Sequence, residues 1–106
     1  FKMTTGEQLR EYHHADDIAE MLLTILKSEW SSLGPVLELS SGKPIRLADL
    51  ARTVFKACGK ENLLELGALG KAAQDNWDTQ FPRTKEILFK DRDPLSGVIE
   101  VVQKLL

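Results

Sequence analysis

The chain has 106 residues, a formal net charge of −2, 42% hydrophobic and 28% charged residues, and a single cysteine, Cys58. That length holds one domain at most, able to bury roughly 60–70% of its extended-chain surface. The mixed charge leaves no electrostatic footprint for nucleic acid, no apolar run approaches the ~20 residues of a membrane span, and one cysteine excludes an internal disulfide.

The N-terminus, Phe1-Lys2-Met3-Thr4-Thr5, lacks the apolar core of a secretory signal, so the cytoplasm is the expected compartment. A chain that opens on Phe1 with Met3 inside it reads as a piece of a longer polypeptide. Next comes the dense polar cluster Arg10-Glu11-Tyr12-His13-His14-Ala15-Asp16-Asp17. Its Tyr12-His13-His14 portion reads as strand-like, with Arg10 just ahead of it. Ile18, Met21, Leu22, Ile25 and Leu26 then form the i, i+3, i+4 stripe of an amphipathic helix. Asp16 or Asp17 is placed to cap its start, since a carboxylate there accepts from free backbone N–H groups and meets the positive end of the helix dipole. The helix should end near 27–28, and Pro35 disfavours helical backbone at Gly34.

Val36-Leu37-Glu38-Leu39 is a short apolar run bounded by turn signals and predicts a mostly buried strand. Ser40-Ser41-Gly42-Lys43-Pro44 is a turn. A second helix is predicted over 47–58, with Leu47, Leu50, Ala51, Val54 and Phe55 on one face and Gly59 as its stop. Its start is poorly capped, because Arg46 stands where Ser or Thr would be preferred. Leu63-Leu64-Glu65-Leu66, closed by Gly67, is a weaker strand, and a short helix is expected over 84–89. After the turn Asp91-Arg92-Asp93-Pro94, the residues Leu95, Val98, Ile99 and Val102 mark a third amphipathic helix. Alternating helix and strand argue for α/β organisation: three main helices with a few short strands.

Most of the chemistry these residues could carry has a structural explanation. His13, His14, Asp16 and Asp17 together invite a metal reading, yet metal ligands converge when spaced three or four apart on a helix or paired in knuckles. Neighbours on a strand point to opposite faces, so His13 and His14 should diverge. Acid–base work by Asp16 or Asp17 would need a raised pKa, whereas a capping carboxylate tends the other way. Ser40-Ser41-Gly42 lacks the Gly-Lys-Ser/Thr ending of a phosphate loop. Cys58 falls at an apolar helical position and reads as a small buried hydrophobe; a reactive thiol would need basic neighbours, which only Lys56 and Lys60 offer. Arg10 differs. Its planar, permanently charged head suits bidentate contact with phosphate oxygens, although from the residues alone a solvated arginine is the better reading.

The segment Arg10-Glu11-Tyr12-His13-His14-Ala15-Asp16-Asp17-Ile18-Ala19 resembles the R-D/E-F/Y-x-H-x-x-D-I/V-A segment of the extended short-chain dehydrogenase/reductase family, the NAD(P)-dependent epimerases and dehydratases of nucleotide sugars. Three further pieces follow in the family's order. Val36 to Ile45 is similar to its strand and turn, with Glu38 where Asn and Ser40 where Gly is usual. Leu47-Ala48-Asp49-Leu50-Ala51 is similar to the helix after it. Thr84-Lys85-Glu86-Ile87-Leu88-Phe89, then Pro94-Leu95 and Gly97-Val98, resemble the closing segment. The resemblance covers most of residues 8–106.

The resemblance implies that residues 1–106 form a C-terminal substrate-binding subdomain. Arg10 would help hold the pyrophosphate of a nucleotide-sugar substrate, and His14 and Asp17 would organise the turn into the helix. The place of a second phosphate-binding arginine is taken by a run containing Lys71. The family's Gly-x-x-Gly-x-x-Gly loop, catalytic Ser/Thr and Tyr-x-x-x-Lys have no counterpart in this sequence. The NAD or NADP of the parent enzyme, and its hydride chemistry, would therefore lie upstream, with no cofactor in this fragment. The fragment alone would be inert and would expose apolar surface prone to self-association. A free-standing protein-interaction module is the alternative, and a small metal-binding domain built on His13, His14, Asp16 and Asp17 a weaker one.

Overall fold

Residues 1–28, 37, 39–40, 42–71 and 92–106 are described by the computed structural model of the chain. They form a small mixed helix-and-strand domain: three helices and a few short strands. β1 (Lys2–Met3) pairs in parallel with β4 (Glu65–Leu66), setting Lys2 opposite Glu65 and Met3 opposite Leu66. β2 (Leu9–Arg10) pairs antiparallel with β3 (Ile45–Arg46), setting Arg10 opposite Ile45. The helices are α1 (Ala15–Lys27), α2 (Leu47–Ala57) and α3 (Pro94–Leu105), and α2 packs against α3.

The first helix begins earlier than the apolar stripe. Its N-cap is His14, whose Nδ1 accepts from the Asp16 backbone N–H at 3.2 Å, so neither aspartate has the capping role expected of it. The strand-like reading of Tyr12-His13-His14 is also corrected: the strand is Leu9–Arg10, and residues 11–14 are an irregular connection. Along α1, Met21 and Ile25 are buried with Ile18, Leu37 and Leu39 packed around them. Leu22 and Leu26, from the same stripe, are 48% and 64% exposed, so the core uses only one edge of it. The strand expected over 36–39 lies partly outside the described residues, and the helix over 84–89 lies wholly outside them.

The start of α2 solves its capping problem with distant backbone. The carbonyls of Gln8 and Gly6 accept from Leu47 N–H (3.0 Å) and Ala48 N–H (2.8 Å), two of the orphan donors at any helix start. No side chain of Arg46 is needed. This contact demands glycine at position 6, where φ is +66° and a Cβ would lie 2.8 Å from Ala48 N and 2.9 Å from Ala48 Cβ. The other end of α2 is a Schellman stop: Gly59 has φ +66°, its N–H reaches Lys56 O, and Lys60 N–H reaches Phe55 O. Cys58 is the C-cap and half-buried, which corrects the expectation of a buried core thiol.

Leu63-Leu64-Glu65-Leu66 divides. Glu61–Leu63 is a short 3-10 turn, and only Glu65–Leu66 is strand. The third helix opens with Asp93 as N-cap and Pro94 in its first turn; Asp93 Oδ2 accepts from both the backbone N–H and the hydroxyl of Ser96, each at 3.0 Å. No helix among the described residues is long and apolar enough to cross a membrane.

Gly6→Ala adds left-handed strain to a direct clash with Ala48. It should destabilise the fold by about 2 kcal/mol, read as a lowered urea midpoint. A midpoint equal to that of the parent chain would mean that residues 4–8 do not seat on α2.

Candidate functional site

The polar cluster at 10–17 holds its place through two carboxylates, Glu11 and Asp17, each bound to a segment far along the chain. Burying an ionised carboxylate is unfavourable unless charged or N–H donors surround it. Asp17 is 8% exposed and meets that condition through Arg92. Arg92 Nε donates to both Asp17 oxygens (3.1 and 2.9 Å), Nη2 to Oδ1 (2.7 Å), and the Arg92 backbone N–H to Oδ2 (3.0 Å). The remaining arm, Nη1, donates to Glu100 Oε2 at 2.6 Å. Hydrogen bonding to Asp17, opposed by burial and reinforced by Glu100, holds the Arg92 guanidinium pKa above its ordinary value. A raised arginine pKa adds stability that is fully present below the unfolded value, so this pair keeps its cation at every pH a protein meets.

Glu11 makes the second clasp. Its Oε2 accepts from Ser40 Oγ at 2.6 Å and its Oε1 from the Gly42 backbone N–H at 3.0 Å. Gly42 has φ +67°, and Ser40 is buried. The Ser40 and Gly42 donors thus already hold an anion, one supplied by the chain itself. That is the physical reason this turn is not a phosphate loop.

Arg10 lies on β2, exposed at its surface, with Nη1 donating to Leu9 O at 2.7 Å. Lys71 is exposed and sits 4.0 Å from Glu7, an exposed partner. His13 Nε2 is 4.0 Å from Glu11 Oε1. His14 turns elsewhere: its side chain is 7% exposed, with Nδ1 at the start of α1 and Nε2 3.8 Å from Glu100 Oε2. Asp16 points outward, 73% exposed. The four side chains of the metal reading therefore do not converge, and among the described residues no three His, Cys, Asp or Glu are placed to share an ion.

Between the Tyr12–His14 stretch and the two later helices lies a cavity of about 330 Å³. Tyr12 and His13 line it from one side, Val54 of α2 from another, and Pro94, Val98 and Val102 of α3 complete a mostly apolar wall. Gly97 is buried where α3 passes His14, and a Cβ there would meet Arg92 Cγ and Cδ at 3.4 Å and His14 Cδ2 at 3.7 Å.

Sequence reasoning singled out Arg10, His14 and Asp17 but missed Arg92, Glu100, Glu11 and Ser40. Glu11 had one signal, the acidic position in the R-D/E-F/Y segment. Arg92 had none, because its partner is 75 residues away and no local period marks such a pair.

Breaking the Asp17 clasp is predicted to be costly, because it leaves a buried group without its compensating partner. Asp17→Asn should lower the urea midpoint clearly, while Asp16→Asn, at an exposed side chain that accepts no capping bond, should leave it nearly unchanged. Equal effects in the two variants would show that the Arg92 pair does not hold α1 to the start of α3. No family model, no curated protein and no solved structure matches this chain.

Proposed function

We propose that this chain is the C-terminal, substrate-binding part of an NAD(P)-dependent nucleotide-sugar epimerase or dehydratase, acting in the cytoplasm and inert by itself. One observation carries the reading. Residues 10–17 combine an exposed arginine on β2 with His14 at the N-cap of α1 and Asp17 in its first turn, in the order and spacing of the family's segment. In the parent enzyme, Arg10 supplies paired N–H donors and a fixed positive charge to the diphosphate of the substrate. Strand pairing of Arg10 with Ile45 holds its backbone, and the Glu11 clasp fixes the residue after it. Positioning on a braced strand limits the freedom lost when a ligand binds. His14 and Asp17 are positioning residues in this scheme, and the nicotinamide and proton-transfer chemistry belong to the upstream portion of the enzyme.

Arg10→Ala in the intact enzyme should raise the Michaelis constant for the nucleotide sugar about tenfold, measured by steady-state kinetics on a variant that folds normally. Unchanged kinetics would remove Arg10 from the substrate site.

A second reading, a protein-interaction module, is favoured by a separate observation. Leu22, Leu23 and Leu26 expose a contiguous apolar strip on α1, and Leu105 and Leu106 are about four-fifths exposed at the end of α3. Exposed apolar surface of this kind promotes association. The isolated chain should sediment above its monomer mass, and the pair Leu22→Lys and Leu26→Lys should return it to a monomer. A parent chain that is already monomeric at high concentration would dispose of the α1 strip as a self-association face.

A further inference from the structure

Helix α1 carries two apolar faces. Met21 and Ile25 are buried in the core. Ala15, Ala19, Leu22 and Leu26 lie about a third of a turn round the helix from them, and all four are exposed. Their spacing of four, three and four residues is the seam of a coiled coil, the narrow stripe along which one helix packs on another. Leu23 borders this seam and is 54% exposed. Side-chain size is divided along it: the N-terminal half offers only alanine, the C-terminal half only leucine. Charge is divided in the same way. Asp16 in the first turn and Lys27 in the last flank the same edge of the seam, and both are exposed.

We infer that α1 is the contact through which two copies of this chain pair, antiparallel, about a two-fold axis. Antiparallel pairing seats Leu26 of one copy on Ala15 of the other, and Leu22 on Ala19. A large side chain over a small one in every layer keeps the helix axes evenly spaced. Parallel pairing would stack alanine on alanine at one end and leucine on leucine at the other, which splays the axes. The antiparallel arrangement also brings Lys27 of each copy beside Asp16 of the other. In a parallel pair those charges stay roughly 16 Å apart along the axis, at 1.5 Å per residue. Exposed ion pairs add little affinity, but they select orientation. The interface is isologous and closes at two copies. A helix of 13 residues is only about 20 Å long, and a contact of that length falls below the roughly 1,200 Å² at which stable interfaces begin. The dimer is therefore weak and dissociates on dilution. This pairing rests on the interaction reading of the exposed α1 strip, and adds to it the partner, the orientation and the residue pairs.

Sedimentation equilibrium of the full chain, from micromolar to millimolar protein, should show reversible monomer–dimer behaviour without larger species. Cross-linking reads the orientation. In a Cys58→Ser background, which removes the single native thiol, chains carrying Ala15→Cys are mixed with chains carrying Leu26→Cys and treated with a short bismaleimide. Intact mass separates the mixed product from the two like-with-like products. The mixed product should exceed the other two together, whereas random collision would make them equal. Should a cysteine variant fail to fold, nuclear Overhauser contacts between the methyl groups of Leu26 and Ala15, in a mixture of labelled and unlabelled parent chains, decide the orientation. A dimer with like-with-like or random products would overturn the antiparallel pairing and leave self-association standing. A chain that stays monomeric at millimolar concentration would overturn both, and would leave the seam to a different protein or to an upstream portion of the polypeptide.

Discussion

A buried carboxylate facing a forked guanidinium fixes the geometry on which the other described contacts depend. Asp17 sits in the first turn of α1, and Arg92 precedes α3 by two residues. Their bond therefore sets where the start of one helix stands against the start of another. Arginine suits the position for a specific reason. Its planar head reaches both carboxylate oxygens at once and still has an arm free for Glu100, which a lysine point charge could not reproduce. The backbone N–H of Arg92 joins in, so the main chain is held as well as the side chain. Removing Arg92 would leave the buried Asp17 carboxylate without its compensating charge.

The Glu11 clasp has the same logic at the other end of the segment. Between these two anchors lie five residues, of which Tyr12, His13, His14 and Ala15 line the cavity. The segment is thus pinned by contacts 31 and 75 residues away in sequence, and its middle is presented to the apolar space between α2 and α3. A segment stretched between two such anchors has little freedom to re-aim its side chains. Pre-organisation of this kind is what a recognition surface needs, because less order has to be acquired when a ligand arrives.

The helices were legible in the sequence because each carries its own period: Met21 and Ile25 on α1, Val54 and Phe55 on α2, Val98 and Val102 on α3. The strands at Lys2–Met3, Leu9–Arg10 and Ile45–Arg46 were not, since two residues are too few to show an alternation. Caps were misread where the answer was tertiary. The extended backbone that begins α1 falls at His14, which leaves Asp17 inside the helix and turned toward Arg92. Two carbonyls about forty positions upstream satisfy the start of α2, and nothing near Arg46 announces them. Asp93-Pro94 shows the opposite case: a local cap followed by proline, visible in sequence as a chain reversal and present in the fold as a helix start. For the candidate site, residue types were readable and partnerships were not.

The polar clasps and the apolar faces contribute different things. Among the described residues only Met21, Ile25 and Ala48 form the buried apolar core, while Leu22, Leu23 and Leu26 remain half to two-thirds exposed on the same helix as two of them. Burying the exposed remainder of each leucine would add on the order of 1 kcal/mol. Three such residues therefore amount to a sizeable part of the 5–15 kcal/mol that separates an ordinary folded domain from its unfolded chain. Charged clasps do not supply that kind of free energy, because much of their attraction is offset by the desolvation of the groups that make them. What they fix is register: which part of α1 meets the start of α3, and which turn meets Glu11. The arrangement of the polar segment is thus specified from within the chain, while the outer face of α1, exposed in this structure, adds little to the stability available to it.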